Sequence, residues 1–240
     1  MSKVEERYWQ NWDKGEAAKN ILPAAITQAI QNILKQLTFA AEVIETTAMF
    51  EPVKGYLHPL EGFSLCKLAE LGPGSGEIVE IGSFMGRSTC FLAIGSKRAR
   101  REKVTAIDHF RGSPEHQAGG SYECAEIVTE GSTFGTFRDN LVKMGLWDHV
   151  IPMQMSSREA ASGWTRPIRL LFIDGDHSYE NSRADFEAFR DFVIPGGIVC
   201  FHDINGWEGV TPFFQELMAS GSGYELLFRA RLLAAVTKMR

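Results

Sequence analysis

The sequence predicts a three-layer αβα fold of the α/β class: helices on both faces of a mostly parallel, seven-stranded sheet, with one antiparallel strand at its C-terminal end and a helical cap ahead of it. Three observations predict it. From residue 77 onward, short and nearly continuous apolar runs alternate with helical patterns, as parallel strands buried on both faces do. The first run ends in a glycine turn that opens a helix. The last two runs are separated by only a few residues, which fits an antiparallel hairpin and cannot hold a crossover helix.

Each element follows in order. Residues 1–60 read as a mainly helical cap and 61–240 as the main domain. Ile21–Met49 carries apolar residues at mixed three- and four-residue spacings, with Pro23 in a first turn. Leu60–Leu71 reads as a second helix, stopped by the Gly-Pro-Gly-Ser-Gly run at 72–76. Glu77–Ile81 is the first strand, followed by a helix from about Gly86 to Ser96, and Lys103–Ile107 is the second strand. Residues 109–132 form a polar, Gly-rich stretch longer than an ordinary connection, as a lid or insertion would. Phe134–Met144 is a helix, Val150–Met153 a strand, and Ser157–Ser162 starts another helix. Arg169–Ile173 is a strand, and Glu180–Phe192 a helix ending before Pro195-Gly196-Gly197. Ile198–Phe201, Tyr224–Arg229 and Leu232–Lys238 complete the seven strands. The whole is Rossmann-like.

Composition narrows the partners. The formal net charge of -5 argues against nucleic acid or an anionic membrane, both of which need a basic face. A small molecule is the expected partner. None of the four cysteines forms a CxxC pair, so free thiols in a reducing cytoplasm are expected. The opening MSKVEERYWQNWDKGE has no apolar core of a signal peptide, and no run nears the roughly 20 apolar residues of a membrane span. The first 60 residues are helical enough to offer a homo-oligomer interface.

Chemistry first shows in Val79-Glu80-Ile81-Gly82-Ser83-Phe84-Met85-Gly86-Arg87-Ser88-Thr89. Gly82 and Gly86 let the backbone come close to a ligand at the carboxyl edge of the sheet, where a helix N-terminus offers free N–H groups. The spacing is GxxxG, unlike the dinucleotide fingerprint GxGxxG. Asp108, ending the second strand, can hydrogen-bond a ribose diol. A ribose to hold and no pyrophosphate to cradle favour S-adenosylmethionine over NAD.

A second constellation follows the next strands: Ile173-Asp174-Gly175-Asp176-His177-Ser178 and Phe201-His202-Asp203. Parallel strands put these ends on the same edge as the glycine turn, so the acids and histidines converge near the cofactor. A hydroxyl attacking a methyl sulfonium must lose a proton, and a His can take it at neutral pH. A divalent cation held by carboxylates could also orient that hydroxyl. Asp176 and Ser178 equally suit capping of the next helix.

These motifs resemble the class I S-adenosylmethionine-dependent methyltransferases. Glu80, Gly82, Ser83, Gly86 and Ser88 match that family's first motif, and Asp108 its second. The resemblance implies that they contact the methionine part and the ribose, with the adenine near Ser156 and Ser157 and with His109 bordering the adenosine. The segments Gly112-Ser113-Pro114-Glu115-His116, FIDGDHSYE and PGGIVCFHD are similar to a subgroup of natural-product and macrolide-sugar O-methyltransferases, many of them magnesium-dependent. That resemblance implies a metal at Asp174, His202 and Asp203, and His177 as the base. Asp174 is also counted with the catalytic and cofactor-binding residues. His202 stands where many magnesium enzymes have a second carboxylate. That leaves open magnesium, a softer ion such as manganese, or a metal-free site.

Tyr56, His58, His177 and Trp207 are the candidate acceptor contacts. The expected activity is methyl transfer to a hydroxyl of a small acceptor. N-methylation, another use of the same cofactor, a NAD-dependent oxidoreductase and a non-catalytic cofactor-binding protein remain open at this point.

Overall fold

A computed structural model describes residues 24–219 and 221–239. Pro23 and the charged amino-terminal stretch lie outside the described residues. The chain forms two compact units, Met1–Glu45 and Thr46–Arg240. In the first, the described residues belong to helix α1 (Ala24–Met49), which carries Ile26, Ile30, Ile33 and Leu37 on one exposed stripe.

The second unit opens with residues 46–58, which lead into helix α2 (Pro59–Leu71). Phe50, Val53 and Leu57 are buried here. The Arg87 guanidinium ties this segment down, donating to the carbonyls of Phe50 (3.0 Å), Val53 (2.6 Å) and Leu57 (3.1 Å). His58 caps α2: its Nδ1 accepts from the Leu60 amide while the Glu61 carboxylate accepts from the His58 amide.

Seven strands then form one sheet: β1 (Glu77–Ile81), β2 (Val104–Asp108), β3 (Val150–Gln154), β4 (Ile168–Ile173), β5 (Val193–Phe201), β6 (Tyr224–Ala230) and β7 (Leu233–Lys238). Their order is β3-β2-β1-β4-β5-β7-β6. β1 to β5 run parallel, and β7 is antiparallel to both β5 and β6. β7 is therefore the single antiparallel strand. The strand order reverses between β1 and β4, which opens a crevice at the carboxyl ends.

Helices α3 (Arg87–Arg98) and α5 (Phe134–Lys143) cover one face with α2, against Ile78, Leu170 and Phe172. Helices α6 (Ser157–Ser162), α7 (Tyr179–Phe189) and α8 (Val210–Ala219) cover the other, against Val79, Leu171 and Ile173. Alternate residues of β1 and β4 thus feed two separate cores, which is why those strands read as unbroken apolar runs.

Three details depart from the sequence reading. α8 was not read, although Val210, Phe213, Phe214 and Leu217 carry its spacing and are buried. The stretch 109–132 contains a single 3₁₀ turn, Pro114–His116, and a short helix α4 (Ala125–Glu130). Pro195-Gly196-Gly197 does not precede β5 but bulges from inside it: Val193 pairs with Ile168, and Ile198 with Leu170. Proline has no amide for the ladder, so this segment loops out and the strand resumes with its register shifted by three residues.

Candidate active site

The site forms where β1, β2, β4 and β5 end, around a cavity of about 780 Å³. Gly82 makes the first turn at φ 85°. A Cβ there would sit 1.9 Å from the Asp174 carbonyl oxygen, so only glycine lets β1 and β4 end side by side. Asp108 accepts from the amides of Ser83 (2.8 Å) and Phe84 (2.7 Å) through Oδ2, and from the Phe110 amide (2.5 Å) through Oδ1. Phe84 and Phe110 both have positive φ, 45° and 59°, and Asp108 holds both residues in place. A carboxylate has about four lone-pair directions, so Asp108 keeps one for a ligand.

Glu80 lies fully buried beneath this turn and does not border the cavity. It accepts from the hydroxyls of Ser83 (3.0 Å) and Thr89 (2.5 Å), so it props the turn from below. Burial pushes its carboxyl up to about 7, against the Ser88, Thr89 and Ser83 hydroxyls that favour the ionised form. Ser83 is buried with it, while Gly82 and Ser88 border the cavity. Gly86, at φ 87°, starts α3 and is not part of the wall.

Carboxylates and imidazoles alternate across the site. His202, only 4% exposed, has Nε2 3.1 Å from Glu61 Oε2 and Nδ1 3.0 Å from Asp174 Oδ1. Its Nδ1 is also 3.4 Å from Asp203 Oδ2. His177 follows, with Nε2 3.0 Å from Asp203 Oδ2 and Nδ1 3.0 Å from Glu115 Oε1. Asp203 aims its carboxylate between the two rings from a left-handed backbone, φ 61°, which aspartate tolerates.

The charges follow from this geometry. Burial works against a charged His202 ring, but the Asp174 charge and the bonds to Asp174, Asp203 and Glu61 outweigh it and raise its pKa. Burial likewise opposes a charged His177, and the Asp203 bond with the charges of Asp174, Asp203 and Glu115 raises it. For Asp203 burial favours the neutral acid, yet its bonds to His177 and His202 hold it below the ordinary carboxylate range. The charged form of His202 is thus favoured, and both rings border the cavity, His177 with more of its side chain exposed.

Asp174, His177 and Asp203 each offer one ligand atom, all within 4.8 Å of one another. His202 is not in this set; its Nε2 lies 3.1 Å from Glu61 and its Nδ1 3.0 Å from Asp174.

Aromatic rings form the remaining wall. Trp207 stacks on His177 at 4.5 Å, and Tyr122 lies 5.9 Å from Trp207. Tyr56 packs edge-on against Tyr122 at 5.4 Å and near Phe84 at 6.0 Å. His116 stacks on Phe84 at 5.0 Å. Of the candidate acceptor contacts, Tyr56, His177 and Trp207 border the cavity, while His58 is spent on capping α2. His109 and Ser157 border it too, with Asp108 and Asp174. The sequence pattern does not single out Glu61, whose place in the first turn of α2 marks a helix cap, or Asp185, which comes from the interior of α7 and carries no motif signal.

The fold and this site define a class: a Rossmann-like methyltransferase that uses S-adenosylmethionine. A family model described as a methyltransferase domain matches residues 79–204, from the first strand through the acid–histidine cluster. The chain belongs to that family. Among solved structures, it is similar to the O-methyltransferase NovP at 20% identity and a TM-score of 0.58, covering 74% of this chain and 78% of that one. It is similar to an O-methyltransferase from Bacillus cereus in complex with SAH, at 21% identity and a TM-score of 0.54, covering 82% and 90%. For TomG from Streptomyces achromogenes, an O-methyltransferase in tomaymycin synthesis solved with SAM, identity is 17%, TM-score 0.54 and coverage 83% and 89%.

Proposed function

We propose that this methyltransferase transfers a methyl group to a hydroxyl of a small natural product or sugar, with His177 as the general base. The observation that carries the reading is the His177 ring, held by Asp203 at 3.0 Å and stacked on Trp207, at the wall of a cavity that also holds Asp108. S-adenosylmethionine supplies an electrophilic methyl carbon bound to a positively charged sulfur.

The chain's own groups do the rest. Gly82 and Ser88 border the methionyl part, and Asp108 accepts from a ribose hydroxyl with its remaining lone pair. Asp203 fixes the His177 tautomer by accepting from Nε2–H, as the acid of a catalytic triad does. Nδ1 then faces Glu115, which sits on the 109–132 segment. The acceptor hydroxyl would replace Glu115 there and give its proton to Nδ1 as its oxygen attacks the methyl carbon; the methyl–sulfur bond would break with its electron pair staying on sulfur, which leaves as the neutral thioether S-adenosylhomocysteine. The protein works in the cytoplasm in this reading, consistent with four free thiols; among the described residues no helix is long and apolar enough to cross a membrane.

The test is turnover on a panel of phenols and sugars by the wild type and His177→Gln, with SAH binding as the control for folding. Loss of turnover with binding intact supports the base, and unchanged turnover removes it.

One observation favours a second reading. Asp174, His177 and Asp203 form a donor set of two carboxylates and one imidazole, which suits manganese or zinc better than all-oxygen magnesium. A cation there would orient the acceptor hydroxyl and lower its pKa. EDTA abolishing turnover, with manganese restoring it, would select this reading over the metal-free base.

A further inference from the structure

Helix α1 carries an unbroken heptad of apolar residues: Ile26, Ile30, Ile33, Leu37, Ala40 and Ile44, spaced alternately by four and three. A straight helix drifts only about 20° per heptad against this repeat. Over a span of about 27 Å the six therefore stay on one side, and Leu34 widens the stripe. Ile26, Ile30, Ile33, Leu34 and Leu37 are 43% to 60% exposed, and Ala40 is exposed with them. Monomeric soluble proteins rarely leave a contiguous apolar patch of that extent in water.

The other side of α1 is polar and bonds within the helix. Gln28 donates to Asn32 at 3.0 Å, and the Thr38 hydroxyl donates to the Leu34 carbonyl at 2.9 Å. The charged residues Lys35, Glu42 and Glu45 all stand off the stripe. A stripe without charge is complementary to itself: laid against its own copy across a two-fold axis, it meets no like charge. Two such helices paired over nearly three heptads bury on the order of 1,000 Å² in total, the lower bound of a specific interface. A bilayer surface fits less well. Helices that lie on anionic lipid carry lysines and arginines along their polar side, whereas α1 has Lys35 alone beside Glu42 and Glu45.

We propose that α1 is a self-association element, whose stripe packs helix to helix against α1 of a second copy of this chain. The repeat sets the geometry: side chains at the two heptad positions of one helix fill the holes between those of the other.

The test is sedimentation equilibrium of the full chain from about 0.1 to 100 µM, since an association of copies follows mass action. Three proteins are compared: the wild type, Ile30→Glu/Leu37→Glu in the stripe, and Gln31→Glu/Thr38→Glu on the polar side, which adds the same charge. Glutamate is a good helix former, so neither pair melts α1 by propensity. The wild type should sediment as at least two chains, the stripe pair as one chain at every concentration. The polar-side pair should keep the wild-type dissociation constant within about threefold. S-adenosylhomocysteine binding should be alike in all three, because no stripe residue borders the cavity. If the stripe pair loses that binding, Ile30→Ala/Leu37→Ala replaces it and should raise the dissociation constant at least about 100-fold. A wild type that is monomeric throughout overturns the proposal, whether the chain's own preceding residues or another protein covers the stripe. So does an assembly that survives the stripe pair, or one that both pairs weaken alike, since the copies then meet through another surface.

Discussion

Glu61 and His202 meet 3.1 Å apart inside the protein, although 141 positions separate them in the chain. Glu61 also accepts from the amides of Leu232 (2.9 Å) and His58 (2.8 Å), so one buried carboxylate pins α2, the start of the C-terminal hairpin and the acid–histidine cluster. Burial disfavours its charge, but the His202 bond and the two amides hold its carboxyl below the usual range. Glu61→Gln leaves a buried imidazolium short of one partner. Breaking such a pair costs about 3–5 kcal/mol. Denaturant unfolding should show that loss with an unchanged m-value, and a loss under about 1 kcal/mol would mean that His202 is not held as a cation.

Asp108 holds three loop amides at the cavity wall, and the proposed ribose contact would use its remaining lone pair. Asp108→Ala should abolish micromolar S-adenosylmethionine binding. Asp108→Asn retains only one oxygen acceptor and should weaken binding at least tenfold. Calorimetry checks both, and wild-type affinity in Asp108→Asn would remove the ribose role.

Gly82→Ala combines a left-handed backbone with a Cβ 1.9 Å from the Asp174 carbonyl. The conformational part alone costs about 1–2 kcal/mol, and the clash must push β1 and β4 apart. The expected result is a folded protein of lower melting temperature that no longer binds the cofactor. Binding at wild-type strength would show that the turn is not the cradle.

Glu80 gives a pH signature. Its carboxyl sits near 4.5 in the unfolded chain and is pushed up to about 7 by burial. The folded state therefore holds the proton more tightly. The stability from this source is full below about pH 4.5 and is lost as pH rises through about 7, by at most about 3 kcal/mol. Glu80→Gln is neutral at every pH. Its stability relative to the wild type should therefore improve between pH 5 and pH 8 in parallel denaturation curves; an offset that stays constant would rule out the raised carboxyl.

Trp207 stacks on His177 and stands near Tyr122 without touching the cofactor turn. Trp207→Ala should raise the acceptor KM about tenfold while S-adenosylmethionine affinity stays within about twofold, the size of effect expected from losing one aromatic contact. A matching loss of cofactor affinity would relocate Trp207 to the nucleoside.

The sequence by itself determined the layers, the parallel sheet, its antiparallel closing strand and the edge where ligands bind. Those features are local: period, glycine turns and acids at strand ends are written in consecutive residues such as 79–89 and 172–180. Asp108, Asp174, His177 and Asp203 were legible because strand ends must share one edge. Only the tertiary structure decided what each group does there. It turned His202 inward onto Glu61 and Asp174, set Asp203 between two rings, placed Glu80 under the turn, and spent His58 on a helix cap. It also brought Asp185 from a helix interior to Ser157. The contacts of His202 with Asp174 and Glu61 and of Asp185 with Ser157 join residues 28 to 141 positions apart, and hydrogen bonds among buried charges are fixed by packing that no local pattern encodes.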